Sequence, residues 1–308
     1  MEFTSWPYSV DRYELFRLVQ DNPRIPKAHI ARKFKVNEKT GTLWWDAAVK
    51  KRIIIPPIFR RKSFLNFREY FYFIKVKDPH YSYLSLRTSK DIIYCSVHTG
   101  FSDIQVISKK PLNLKEEVVL SGDRSDYYVS TPLNCSFSQA VSTIEKKLKN
   151  IDSHHYVPSP LVFRTTGYEP WDDLDEVIFW ELCNDVRKPF SRIVKTTGAY
   201  SDKILKWFRK RNEFGHTFTM FFPRGESSYQ LTLYAVETEE DSLLIDIFSK
   251  FPTSSVFYRV DKYLMMVLYV SFPYIARSLV RNVLSSLQKK ELIGDYINSI
   301  AEYSYHPD

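Results

Sequence analysis

The chain has 308 residues, room for two to four domains of roughly 100–150 residues each. Hydrophobic residues make up 44%, with only 8 glycines and 16 prolines, which excludes wholesale disorder and low-complexity or collagen-like architecture. The formal net charge of +8 sits in two islands. Lys27 to Lys62 holds 11 basic residues against 2 acidic, and Arg187 to Arg224 holds 10 against 2, leaving the remainder net acidic. Two basic islands on an acidic remainder suit a polyanionic partner. No apolar run approaches the ~20 residues of a membrane span. The start of the chain, with Glu2, Asp11 and Arg12, does not read as a signal peptide. Cys95, Cys135 and Cys183 form no CxxC pair or disulfide framework, so a cytoplasmic location is expected.

The first helix is expected over Val10 to Asp21, opened by Asp11 as N-cap, with Leu15, Leu18 and Val19 at helical spacing. A second helix runs near Lys27 to Phe34, a tight turn follows at Lys35-Val36-Asn37, and a third helix spans about Glu38 to Lys51. The pattern returns from Leu174. Asp175 opens a helix carrying Phe179, Leu182 and Cys183 inward, a second runs near Pro189 to Thr196, and a turn lies at Gly198-Ala199-Tyr200. A third helix then spans about Ser201 to Asn212, with Ser201 as cap. Helix, helix, tight turn and basic helix is the helix-turn-helix arrangement, whose third helix suits the DNA major groove.

Strand-forming segments follow the first module: Glu69 to Val76, Ile92 to His98 and Ile104 to Ile107, with Thr99-Gly100-Phe101-Ser102-Asp103 as a hairpin connection. Lys110 to Ser136 reads as an insertion with a hairpin tip at Ser121-Gly122-Asp123. Phe137 to Leu148 is a helix, and Tyr156 to Phe163 closes a sheet. After the second module come a strand at Tyr229 to Val236, a helix at Glu239 to Lys250 and strands at Ser255 to Val260 and Tyr263 to Ser271. A helix at Pro273 to Lys290 and a strand at Ile293 to Tyr303 complete a βαββαβ unit. The expected class is α+β, with two winged helix-turn-helix modules each followed by a ferredoxin-like domain. The expected division is 1–64, 65–166, 167–224 and 225–308.

Val10-Asp11-Arg12, Asn22-Pro23-Arg24-Ile25, Ile30-Ala31-Arg32-Lys33-Phe34, the run from Val49 to Ile54 and the hairpin Thr99 to Asp103 together resemble the Lrp/AsnC (leucine-responsive/asparagine) family of prokaryotic regulators, here duplicated in tandem. The resemblance implies sensor domains of the RAM type, association through their sheets as a homodimer or an intramolecular pseudo-dimer, and a small effector, often an amino acid. Departures are Lys35 for the turn glycine, Trp44 for a basic recognition residue, and Val260-Asp261-Lys262-Tyr263 in place of the second glycine hairpin.

On this reading the chain binds double-stranded DNA as a transcriptional regulator and is not an enzyme. Lys39, Thr40, Thr42, Lys203 and Lys206, beside Asp202, face the groove, and Trp44 either joins them or packs inward. Lys50, Lys51, Arg52, Arg60, Arg61, Lys62, Arg209, Lys210 and Arg211 meet phosphates. Thr99, Gly100, Ser102 and Asp103 line an effector pocket. No cofactor and no metal are expected. One alternative is a decarboxylase of the haem pathway, acting on sirohaem-type substrates, since some relatives of this fold look like such enzymes; its candidates are His98, His154 and His155. Another is a protein–protein adaptor that keeps the helix-turn-helix as scaffold.

Overall fold

The computed structural model of the chain describes residues 11–151, 158–164, 167–271 and 275–305. In chain order the elements are α1 (Arg12–Asp21), α2 (Lys27–Lys33), α3 (Glu38–Lys50), β1 (Ile54–Arg61), β2 (Tyr70–Lys75), α4 (Pro79–Leu86), β3 (Ile92–Gly100) and β4 (Ile104–Ser108). There follow β5 (Glu117–Asp123), β6 (Tyr128–Val129), α5 (Phe137–Lys149), α6 (Asp173–Leu182), α7 (Phe190–Thr197), α8 (Ser201–Phe214) and β7 (Gly215–Phe221). The last are β8 (Tyr229–Glu237), α9 (Asp241–Phe248), β9 (Val256–Val260), β10 (Tyr263–Ser271), α10 (Ile275–Lys289) and β11 (Tyr296–Tyr305). The class is α+β, with antiparallel sheets. The chain forms two compact units, each from two separate stretches: Met1–Arg61 with Pro170–Ser228, and Lys62–Glu169 with Tyr229–Asp308.

The first unit contains both three-helix modules. Asp11 caps α1 by accepting from the N–H groups of Tyr13 and Glu14, and Asn37 caps α3 through Thr40 N–H. The cap of α6 is Asp172, in a capping box with Asp175, so the helix opens earlier than Asp175 as cap had implied. Accordingly Ile178, Phe179 and Leu182 are its buried face, matching Leu15, Phe16 and Val19 of α1. Tyr200, not Ser201, precedes α8, and it makes no side-chain cap. Lys35 and Gly198 both lie at positive φ, 54° and 69°, so the first turn adopts the glycine-type conformation without a glycine.

Each module's core is completed by a strand from the other. β1 and β7 pair antiparallel from Ile54↔Phe221 to Arg61↔Gly215. Phe59, at the end of the first module, is fully buried among Phe179, Leu182, Ile193, Ile204 and Trp207 of the second. Phe221 is buried among Leu15, Phe16, Val19, Ile30 and Trp45 of the first, with its ring 5.2 Å from Phe16. Gly215 is required here, because a Cβ on it would fall 2.0 Å from Phe59 Cζ.

In the second unit the described strands form a single antiparallel sheet in the order β5-β2-β4-β3-β11-β8-β10-β9-β6. β8, α9, β9, β10, α10 and β11 give the expected βαββαβ order, and β11 joins it to β3 of the first half. α4 packs over Ile92, Cys95 and Val97 through Tyr83, while α5, α9 and α10 cover the face carrying Val236, Leu264, Met266 and Leu268. α4 was absent from the sequence reading, although Asp78-Pro79 is an N-cap followed by a first-turn proline.

Two sequence expectations are corrected here. Ser121-Gly122-Asp123 is no hairpin tip but the end of β5, which runs along β2 from Lys75↔Glu117 to Tyr70↔Asp123. The chain then continues to β6, which pairs with β9. The stretch 117–129 thus links both edges of the sheet, with Arg124 bridging Val260 and Ser125 N–H donating to Arg259 O. Of the strand expected at Tyr156 to Phe163, residues 156–157 lie outside the described residues and 158–163 carry no strand. Where the edges meet, Arg124 is fully buried, ion-paired to Glu69, with its guanidinium 4.2 Å from the Tyr127 ring.

Phe59→Ala is expected to cost about 3–5 kcal/mol in urea unfolding, and limited proteolysis of the variant should open the second module first. Glu69→Ala, which takes the ion-pair partner from fully buried Arg124, should cost about 3–5 kcal/mol, whereas the double change Glu69→Leu with Arg124→Met should recover most of that loss.

Candidate functional site

The strand β3 has a register shift between Ile92 and Tyr94. Beyond it, Cys95 and Val97 face α4, and Tyr94, Ser96 and His98 fall on the opposite, inner face. There the apolar lining is Phe71, Phe73, Leu233, Tyr258 and Met265. Ser96 is fully buried, and His98 is 4% exposed. His98 Nε2 lies 2.7 Å from Ser96 Oγ, and its Nδ1 has no hydrogen-bond partner among the described residues. Tyr94 bonds to Ser96 and Ser304, and Gln105, opposite Ser96, bonds to the Tyr258 hydroxyl. A polar line Ser304–Tyr94–Ser96–His98 therefore runs along an otherwise apolar surface.

Burial pushes the His98 imidazole down to about 4, with Glu302 opposing weakly, so the ring is neutral near pH 7. A neutral imidazole has one N–H and one lone pair. With Nε2 engaged by Ser96, Nδ1 is left to donate a proton or to accept one. Burial pushes the Cys95 thiol up to about 12, which removes it as a nucleophile. Among the described residues no group of three or more His, Cys, Asp or Glu side chains is placed to hold a metal. His154 and His155 lie outside the described residues.

The end of β3 holds Thr99 and Gly100, and the turn after it holds Ser102 and Asp103, the four expected effector residues. Gly100 sits at φ 142°, where a Cβ would fall 2.3 Å from Asn298 O, so the loop lies directly on β11. Thr99 is exposed and donates to Glu302. Ser102 is fully buried; its N–H donates to Ser299 Oγ at 3.3 Å and its hydroxyl is unpartnered among the described residues. Asp103 accepts from Lys75 Nζ and Val76 N–H. Burial disfavours its charge, but those two donors hold its carboxyl below the usual range. Thr99 and Asp103 are thus tied into the fold, and Ser102 alone points an unbonded group inward.

The expected DNA-contacting residues separate into two groups. Lys39, Lys50, Lys51, Lys206, Arg209 and Lys210 are exposed, and Thr40 and Thr42 half-buried. The rest pack against or bond to other parts of the fold, Arg52 while still exposed. Trp44 is buried edge-on to Phe34. Arg52 pairs with Glu226, and Arg60 donates to Phe59 O and Cys183 O. Arg61 is buried, paired with Glu176 and 3.9 Å from the Trp171 ring. Lys62 is half-buried beside Arg164 and Asp126. Lys203 pairs with Asp172 and Asp175, and Arg211 donates to Thr217 Oγ1 and Phe208 O. Charge counted along the chain could not separate cations that fill the fold from those that face water.

No protein-family model matches the chain. No curated protein matches it either. Among solved structures it is similar to the siroheme decarboxylase NirDL, with a TM-score of 0.51 at 11% identity, covering 96% of this chain and 92% of that one. It is equally similar to NirDL in co-complex with an iron-uroporphyrin III analogue, with a TM-score of 0.51 at 10% identity and the same coverage. At such identity the likeness is one of fold. It corrects two expectations from the sequence, that the chain is no enzyme and that its partner is double-stranded DNA. The fold likeness, over 96% of this chain, is to an enzyme crystallised with an iron-uroporphyrin III analogue. Among the described residues no helix is long and apolar enough to cross a membrane.

His98 makes stability depend on pH. Below 6.5 the unfolded chain takes up a proton that folded His98 refuses until about pH 4, so stability falls as pH drops through that window. At about 1.4 kcal/mol per pH unit, the wild type should lose about 3 kcal/mol more than His98→Gln across it. Urea unfolding at several pH values measures this, and parallel profiles for the two proteins would contradict the assignment.

Proposed function

We propose that this chain is a decarboxylase acting on a tetrapyrrole of the siroheme type. The observation that carries the reading is the extent of the fold likeness, which spans 96% of this chain and 92% of a siroheme decarboxylase. It includes both helix-turn-helix modules and both α+β parts.

The chemistry asks little of the protein. A carboxylate side chain loses carbon dioxide, the electron pair left on carbon is taken up by the conjugated macrocycle, and a proton is delivered to that carbon. The protein must hold a proton and keep bulk water away. His98 is the candidate for the proton: it is neutral near pH 7, it is held at Nε2 by Ser96, and its Nδ1 is unbonded among the described residues. In this reading the helix-turn-helix modules serve as scaffold, consistent with the internal partners of Arg52, Arg60, Arg61, Lys203 and Arg211. We place the chain in the cytoplasm, in keeping with three cysteines that form no disulfide, of which Cys95 and Cys183 are buried.

Purified protein mixed with siroheme should shift the absorbance of the tetrapyrrole, and mass spectrometry of the extracted pigment should show loss of carbon dioxide. His98→Gln should keep the bound spectrum and lower the rate by about 10²–10⁴-fold. A spectrum equal to that of free siroheme, with no mass lost, overturns the proposal.

A further inference from the structure

A second concentration of polar chemistry lies in the helical unit. Arg24 and Arg187 hold each other's loops in place reciprocally. Arg24 Nη1 donates to Val186 O and Lys188 O, on either side of Arg187. Arg187 donates from Nη1 to Pro23 O at 2.9 Å and from Nη2 to Ile25 O at 2.7 Å, on either side of Arg24. Arg211 joins them through an aromatic wall. Its guanidinium lies 4.0 Å from the Phe208 ring, and that of Arg24 lies 5.5 Å from the same ring and 4.0 Å from Phe190.

All three side chains are half-buried. None forms an ion pair with a carboxylate among the described residues. The nearby acid, Asp185, is exposed and its Oδ1 accepts the backbone N–H of Arg187. Burial lowers the affinity of all three for their protons; at Arg24 the charge of Asp185 opposes this and that of Arg211 adds to it, and at Arg187 the charge of Arg24 adds to it and that of Asp185 opposes it. Each guanidinium carries five N–H donors. The bonds to protein leave Arg24 Nε and Nη2, Arg187 Nε and Arg211 Nη2 without an acceptor among the described residues. The guanidiniums repel one another, Arg211 against Arg24 and Arg24 against Arg187, and their unbonded donors are not buried and so stay open to an anion.

The geometry points to an oxyanion-binding site formed by Arg24, Arg187 and Arg211, which takes a carboxylate or a phosphate group in the guanidinium forks. Such forks match both anions with paired, charge-assisted hydrogen bonds. The two modules meet at these arginines, so a bound anion ties them together. The inference stands apart from the decarboxylase reading and needs no tetrapyrrole.

Titration of the intact protein with inorganic phosphate, and separately with acetate, by calorimetry and thermal unfolding at constant ionic strength set with chloride, tests it. Saturable binding and a raised Tm are expected with at least one of the two anions, and the stronger of them names the natural ligand class. Arg211→Gln should weaken that binding by about tenfold or more. Should that variant not fold, Arg211→Lys keeps the charge and loses the fork, and it should weaken binding in the same direction. No saturable binding of either anion to the wild type, or equal binding by the folded variant, overturns the proposal.

Discussion

Neither half of this chain can close a core alone. Phe59 leaves the first helical module to sit against Trp207 and Phe179, and Phe221 leaves the second to stack on Phe16. A module deprived of its neighbour's strand would expose a hole the size of a phenylalanine at its centre, a loss comparable with a large part of a domain's net stability. The exchange fixes the two modules as one body and places Arg24 beside Arg187.

The sheet unit follows the same rule by other means. Among the described residues its first half shows no closing strand like β11, and 117–129 pairs with β2 at one edge and β9 at the other. An open sheet edge invites association with other chains. Joining the edges removes that hazard and encloses an inner face. The closure brings Arg124 and Glu69 together out of water, a pair that matters more for where the strands must sit than for net stability. On the enclosed face a short polar line ends at His98, and the surrounding apolar residues keep its imidazole neutral.

The use of charge in the fold differs from what its distribution along the chain suggests. A chain with two basic helices invites a nucleic-acid partner, yet Arg52, Arg60, Arg61, Lys203 and Arg211 hold strands, caps and loops of the fold itself. A scaffold of regulator type can be kept while its chemistry is moved elsewhere, since function belongs to sites and not to folds.

Much was legible in the residues alone. Helical spacing around Leu15 and Ile193, the turns at Lys35 and Gly198, and the βαββαβ order after Tyr229 follow from local periodicity and capping, which act over a few neighbouring residues. The duplication is visible for the same reason, although Asp172 and Asp175 are three residues apart and both are of cap type, and only the folded backbone shows that Asp172 is the cap. The exchange of Phe59 and Phe221, the path of 117–129 and the partners of each arginine join residues more than 50 positions apart in most cases (Arg124 to Glu69, Arg24 to Val186). No local pattern encodes such pairings. Burial alone made His98 a neutral imidazole and left part of each of three guanidiniums unbonded, because a side chain's charge and its hydrogen bonds depend on what the rest of the chain brings against it.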